Sequence, residues 1–292
     1  MTAKKPAPKH HHWVPRSYLQ HFATPESRRS KTPRVYVFDK NNTGQTPRPT
    51  SVKEVCVRRY LYAPADQNGL RDWALEVALD KIEAKLGHRW IEFTEGEPSL
   101  QDESLRNELS LFVATLHLRN PDILKTIDTI MSLRNRLYGQ TQGPPSASEW
   151  CSPQVLGDPV DPSHRPDPTD PHRFFTHMVW TQAGAIAKAF FGMRWSVLCT
   201  DEDVFVTSDR PVGFQHAQRL RAGPLTPGAL TIFPINPRRM LLLGDGLKPP
   251  YEQYAKVSAL VARGYNRVQE LTSTRFVFTG RSGPEVFREI QT

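Results

Sequence analysis

The sequence predicts an α+β fold, a mostly antiparallel sheet packed against several long helices in a single domain. Three observations predict it. Apolar residues recur with helical period between Leu70 and Arg119. They recur with period two in the runs between Trp195 and Leu243, and the links between successive strands are short. Segregated helices and strands argue against a doubly wound sheet, and short links favour antiparallel pairing.

Each element follows from local pattern. The opening MTAKKPAPK is polar and broken by proline, so residues 1–9 are expected to form a disordered tail, with one domain over 10–292. Pro15 suits the first turn of a helix, where its missing N–H costs nothing, and Tyr18, Leu19 and Phe22 form the core side of that short helix. Arg34–Asp39 reads as a strand from its β-branched and aromatic density, and 41–44 as a turn. A second extended segment is expected from Thr50 through Cys56, ending at Tyr60–Tyr62. Leu75, Leu79, Ile82 and Leu86 then mark one face of a helix, and Leu105, Leu109, Phe112, Val113 and Leu116 mark a second, from Asp102 to Arg119. Pro121 opens a third, through Tyr138.

Residues 143–172 hold eight prolines, a density that no regular element survives, so this stretch is expected to be an extended connection within the domain. A helix follows from Arg173 to Phe191. Strands are expected at Trp195–Cys199, Val204–Thr207, Ala229–Phe233 and Met240–Leu243. A helix from Tyr251 to Leu271 and a strand at Arg275–Phe278 close the chain.

Lys and Arg number 38 against 30 Asp and Glu, a net charge of +8. A basic excess fits a polyanionic partner, nucleic acid first, although the charges are scattered and a soluble surface rich in arginine accounts for them too. Cys56, Cys151 and Cys199 are too few and too dispersed for a disulfide framework or a cysteine zinc site. No apolar h-region follows the N-terminal lysines and no apolar run approaches a membrane span, so a cytoplasmic protein with no membrane partner is expected. A Walker loop, a Rossmann fingerprint, H-E-x-x-H and zinc-finger spacing are all absent from the sequence, which disfavours nucleotide-driven work and dinucleotide redox chemistry.

His11-His12-Trp13-Val14-Pro15, followed by Tyr18, Leu19 and Phe22, resembles the opening of the domain of unknown function 4238 family. Further agreement lies in Val35–Asp39, in Leu75-Glu76 with Ile82-Glu83, and in a helix ending at Arg119. Ser208-Asp209-Arg210-Pro211, Phe233–Pro237 and Asn266 complete it. The matches run from about residue 11 to 278, nearly the whole chain. The Pro-rich stretch has no counterpart in the pattern. The resemblance implies a relationship and no activity.

The candidate chemistry centres on the histidines. At the positive end of a helix His11 and His12 would be held neutral, fit to ligate metal or accept a proton. The bland alternative is that they bond backbone and lock the terminal segment. Glu76 and Glu83, seven apart, project from one helix face and could complete a site, or be a solvated edge that also carries Asp80. Asp209 could act as ligand or base, against an Asx-type turn that satisfies its own neighbouring N–H groups. Arg119 could bridge to Glu83 or bind phosphate. Ser208 and Asn266 complete the candidate substrate-binding set.

Two functions are therefore expected. The first is a metal-assisted phosphodiester hydrolase with a His/carboxylate cluster at His11, His12, Asp209, Glu76 and Glu83. Its divalent metal would be held by His11, His12 and Asp209, and its partner would be nucleic acid. The second is a non-catalytic nucleic-acid-binding or sensing module, in which the same side chains form a structural polar network.

Overall fold

The computed structural model describes residues 8–42, 44–138, 170–219, 222–247 and 252–282. Its strands are β1 (His10–His12), β2 (Arg34–Asp39), β3 (Arg48–Ser51), β4 (Val57–Arg59), β5 (Trp195–Cys199), β6 (Thr207–Ser208), β7 (Gly213–Gln215), β8 (Leu230–Asn236), β9 (Arg239–Leu243), β10 (Gln253–Lys256) and β11 (Phe276–Thr279). The helices are α1 (Arg16–Leu19), α2 (Ala74–Glu95), α3 (Glu103–Leu118), α4 (Pro121–Tyr138), α5 (Pro171–Gly192) and α6 (Ala259–Thr272). A short 3-10 turn, Gln20–Phe22, continues α1.

The fold is α+β, as the patterning requires. The strands do not form one sheet. They divide into a five-stranded sheet in the order β10-β5-β9-β8-β7, a four-stranded sheet in the order β3-β2-β11-β6, and the ribbon β1-β4. Pairing is antiparallel except between β10 and β5.

That parallel pair corrects the helix expected from Tyr251. Gln253–Lys256 pairs along β5, and Ser258, whose hydroxyl accepts from the Val261 N–H, delays the helix to Ala259. The extended segment through Tyr62 is also broken. Cys56 and Tyr60 adopt φ of 52° and 55°, in the left-handed region, and they bracket β4. Of the strand expected at 204–207 only Thr207 pairs with a neighbouring strand, in β6 together with Ser208, and β7 lacks a period-two signal long enough to read.

Residues 8 and 9 do not belong to a free tail: the Pro8 carbonyl accepts from His11 and the Lys9 carbonyl from the Tyr60 N–H. Residues 1–7 and most of the Pro-rich connection lie outside the described residues. Its last residues do not connect but open α5, where Asp170 accepts from the His172 and Arg173 N–H groups ahead of Pro171.

The core joins these layers. Tyr18, Trp90, Phe112 and Phe233, contributed by α1, α2, α3 and β8, meet ring to ring. The buried Tyr18 hydroxyl bonds Thr207 Oγ1 at 2.7 Å and donates to the Pro234 carbonyl at 2.8 Å. The opening motif is thus keyed to both larger sheets. Arg106 seals the far end of α3, donating to the Phe191, Met193 and Leu100 carbonyls while pairing with Glu252. No helix among the described residues is long and apolar enough to cross a membrane.

Candidate functional site

Strand alternation separates the histidines. In β1 His11 points inward and is 1% exposed, while His10 and His12 face the other way. The Tyr62 N–H donates to His11 Nδ1 at 3.0 Å, and His11 Nε2–H donates to the Pro8 carbonyl at 2.9 Å. Both partners have only one role to offer, so the tautomer is fixed and the ring is neutral. Burial is the first cause of its lowered pKa. His11 is a clasp on the main chain, with no nitrogen left for a metal or a proton.

His12 is placed differently. Its Nε2–H donates to the Lys53 carbonyl at 3.2 Å, which leaves Nδ1 as the basic nitrogen. Desolvation lowers its pKa, partly opposed by the nearby Glu83 carboxylate. A four-residue α1 has little dipole to contribute, so burial, rather than the helix end invoked from sequence, keeps this ring neutral.

Helix α2 brings the acids. Glu76, Asp80 and Glu83 stand at i, i+4 and i+7, on one face, because each pair of turns returns side chains to the same side. With His12, Arg119 and Tyr62 they line an open hollow of about 750 Å³. Arg16, Lys31 and Lys53 stand at the same hollow.

Arg119, the C-cap of α3, reaches into it from below. Its Nη1 donates to Glu83 Oε1 at 2.7 Å and its Nε to the Trp13 carbonyl at 3.0 Å. Its Nη2 is buried and has no hydrogen-bond partner among the described residues. An unspent guanidinium donor in a low-dielectric wall is costly unless a ligand takes it.

The two glutamates are unequal. Glu83 is paired with Arg119 across 2.7 Å. Glu76 is pushed up to about 7, first by burial, then by Asp80, with Arg119 opposing and Glu83 adding to the rise. Its Oε2 lies 3.5 Å from His11 Nδ1, a nitrogen already accepting from Tyr62. That contact is not an ion pair, because the ring is neutral. Asp80 is raised by the same burial and by Glu83.

The remaining sequence candidates do not join this hollow. Asp209 is 4% exposed and its carboxylate accepts from the Thr274, Arg275 and Phe276 N–H groups at 2.9, 2.8 and 3.0 Å. It satisfies the start of β11, a distant segment, and not its own neighbours as an Asx turn would. Burial still raises its pKa against those three bonds. Ser208 Oγ bonds Gln269 Oε1 and accepts from the Arg210 N–H. Asn266 is buried, accepting from the Val206 N–H and donating to the Val204 carbonyl. None of the three is available to a substrate. The metal shell expected from His11, His12 and Asp209 is therefore not assembled, and among the described residues no three His, Cys, Asp or Glu side chains are grouped to hold a metal.

Sequence reasoning undervalued Asp80 and passed over Lys53 and Tyr62. Asp80 was legible from its i+4 spacing; Lys53 reaches the hollow through the turn before β4 and Tyr62 through the turn after it. A more apolar groove of about 420 Å³ between α2, α3 and α5 has Glu108 as its one acid and no histidine, so it offers no comparable chemistry.

The chain matches the family model described as protein of unknown function (DUF4238) over residues 10–283. No curated protein matches it, and no solved structure does.

Proposed function

The chain belongs to the DUF4238 family, and from its own site we propose that it is a phosphodiester hydrolase working by proton transfer between side chains of the hollow. The observation that carries the reading is the arrangement in the hollow: Glu76, pushed up to about 7 by burial, beside Glu83 in its pair with Arg119 and across from His12, whose pKa burial lowers. A carboxyl raised by burial beside an imidazole lowered by burial marks acid and base roles. His12 Nδ1 takes a proton from water as the water oxygen attacks phosphorus. Protonated Glu76 gives its proton to the leaving oxygen as the P–O bond breaks. Arg119 Nη2 supplies a fixed donor to the charge that builds on the non-bridging oxygens. Arg16, Lys31 and Lys53 favour an anionic substrate over a neutral one. The free thiols of Cys56 and Cys199 support a reducing, cytoplasmic setting.

Hydrolysis of bis(p-nitrophenyl) phosphate by the purified chain, lost in His12→Gln and Glu76→Gln variants that keep the wild-type fold, tests the reading. Equal activity in all three proteins would end it.

A second reading rests on different residues. His11, Asp209 and Asn266 all spend their side chains on main-chain groups. The polar motif would then be a structural network serving a binding module. Loss of fold in His12→Gln, with no hydrolysis by the wild type, would favour it.

A further inference from the structure

A second recess, of about 630 Å³, adjoins the β1-β4 ribbon. Arg58, Arg59, Tyr60, Arg71 and Lys125 line it, together with His172. Its cations are organised. Arg71 donates Nη1 to the Ala63 carbonyl at 2.7 Å, and its guanidinium lies 3.6 Å from the centre of the Tyr60 ring. The Arg59 guanidinium lies over the same ring at 5.0 Å. Tyr60 itself is held at a φ of 55°, a conformation that a bulky side chain adopts only when its surroundings impose it. One ring thus positions two guanidinium forks, each with donors left over.

Acids also face this recess. Asp170 spends Oδ1 on the N–H groups that open α5 and pairs with Arg173, Asp122 accepts from the Thr274 hydroxyl, and with Asp128 they set three carboxylates against four lining cations. His172 is neutral and donates to the Leu61 carbonyl at 2.8 Å. With Asp170 engaged by Arg173, the recess keeps a net positive charge, which favours an anion.

The two recesses share a wall. His10 pairs with Arg59 across the ribbon, and His10 and His12 line the hollow while Arg58 and Arg59 line the recess. We propose that the Arg58, Arg59, Arg71 and Lys125 recess binds the phosphates of a single-stranded polynucleotide whose neighbouring phosphodiester lies in the hollow. This rests on the hydrolytic reading above and assigns its substrate class: a polymer rather than a small diester. The two pockets adjoin the same ribbon, and an unpaired strand can bend from one into the other where a rigid duplex cannot.

The test uses the full chain and a fluorescein-labelled oligothymidylate of roughly 12 nucleotides, a length in the range of single-strand sites. Anisotropy should show binding that weakens with salt. Arg58→Ala/Arg59→Ala should lower affinity about tenfold and flatten the salt slope by about 0.7 for each phosphate that is no longer neutralised. Lys81→Ala/Lys85→Ala, an equal charge change elsewhere on α2, should leave both unchanged, and hydrolysis of bis(p-nitrophenyl) phosphate should persist in every variant. Equal weakening by the two double variants would mean diffuse attraction and overturn the proposal. So would equal binding of the corresponding duplex, or equal competition by polyglutamate. If binding follows the predicted pattern while no protein hydrolyses the small diester, the recess stands and the hydrolytic reading falls. If the small diester is hydrolysed and binding ignores Arg58 and Arg59, the recess alone is wrong.

Discussion

Arg119 donates to Glu83 at 2.7 Å from a guanidinium that is 1% exposed, while the carboxylate it meets is 26% exposed. The pair has one end in the core and one in the hollow, so it couples the packing of α3 against α2 to the electrostatics of the site. Its Nη2 has no protein acceptor among the described residues, and the same cation opposes the rise of Glu76 and Asp80.

Arg119→Ala should therefore do two separable things. It leaves Glu83 unpaired and the Trp13 carbonyl without its donor, at a cost of about 3 kcal/mol, the lower end for breaking a buried pair because Glu83 retains some water. It should also move the Glu76 midpoint upward. Urea unfolding reads the first, and carboxyl titration by NMR the second. An unchanged Glu76 midpoint would show that the two do not interact.

Glu76 should make stability depend on pH in an unusual direction. Its folded pKa, about 7, lies above the unfolded value near 4.5, so the folded state binds the proton more tightly. The stability this contributes is full below the unfolded value and is lost as pH rises towards 7. Glu76→Gln should therefore match wild type near pH 4 and exceed it above pH 7, by at most about 3 kcal/mol. Thermal melts across that range check it.

Activity should trace a narrow bell. His12 must be unprotonated, and its pKa is lowered from 6.5 by burial, so the acid limb falls below that value. Glu76 must be protonated, which sets the alkaline limb near 7. Rates of diester hydrolysis against pH would show the maximum between the two limbs. A profile rising steadily to pH 9 would remove Glu76 as the acid.

Adjacent histidines should behave as opposites. His11→Ala strands a buried Tyr62 N–H and releases Pro8, costing about 2–3 kcal/mol, while His12→Ala gives up one half-exposed bond and costs about 1 kcal/mol or less. Denaturant midpoints compare them. Only His12→Ala should abolish hydrolysis in a protein of native stability.

Asp209→Ala should detach the start of β11. Three backbone N–H groups lose their acceptor, and removal of one buried partner costs about 1–3 kcal/mol, so a loss of about 3 kcal/mol is expected. Hydrogen exchange should accelerate at Thr274, Arg275 and Phe276 before it does so elsewhere.

The sequence by itself determined what depends on local repetition. The faces of α2 and α3 follow from spacing alone, so the placing of Glu76 and Glu83 on one side of a helix, beside the apolar stripe, was legible. So was the inward stripe of Tyr18 and Phe22, and the termination of α3 near Arg119 before Asn120-Pro121. The alternation that separates His10 and His12 from His11 was legible too, once the segment is extended. Only the tertiary structure decided which of these polar groups is free. A buried polar atom is satisfied by whichever backbone the fold brings to it: Tyr62 to His11, residues 274–276 to Asp209, Val204 and Val206 to Asn266. Those partners lie some 50 to 70 residues away in sequence, beyond the reach of any local period, and their choice removes three candidates from the chemistry while leaving His12 facing the acids of α2.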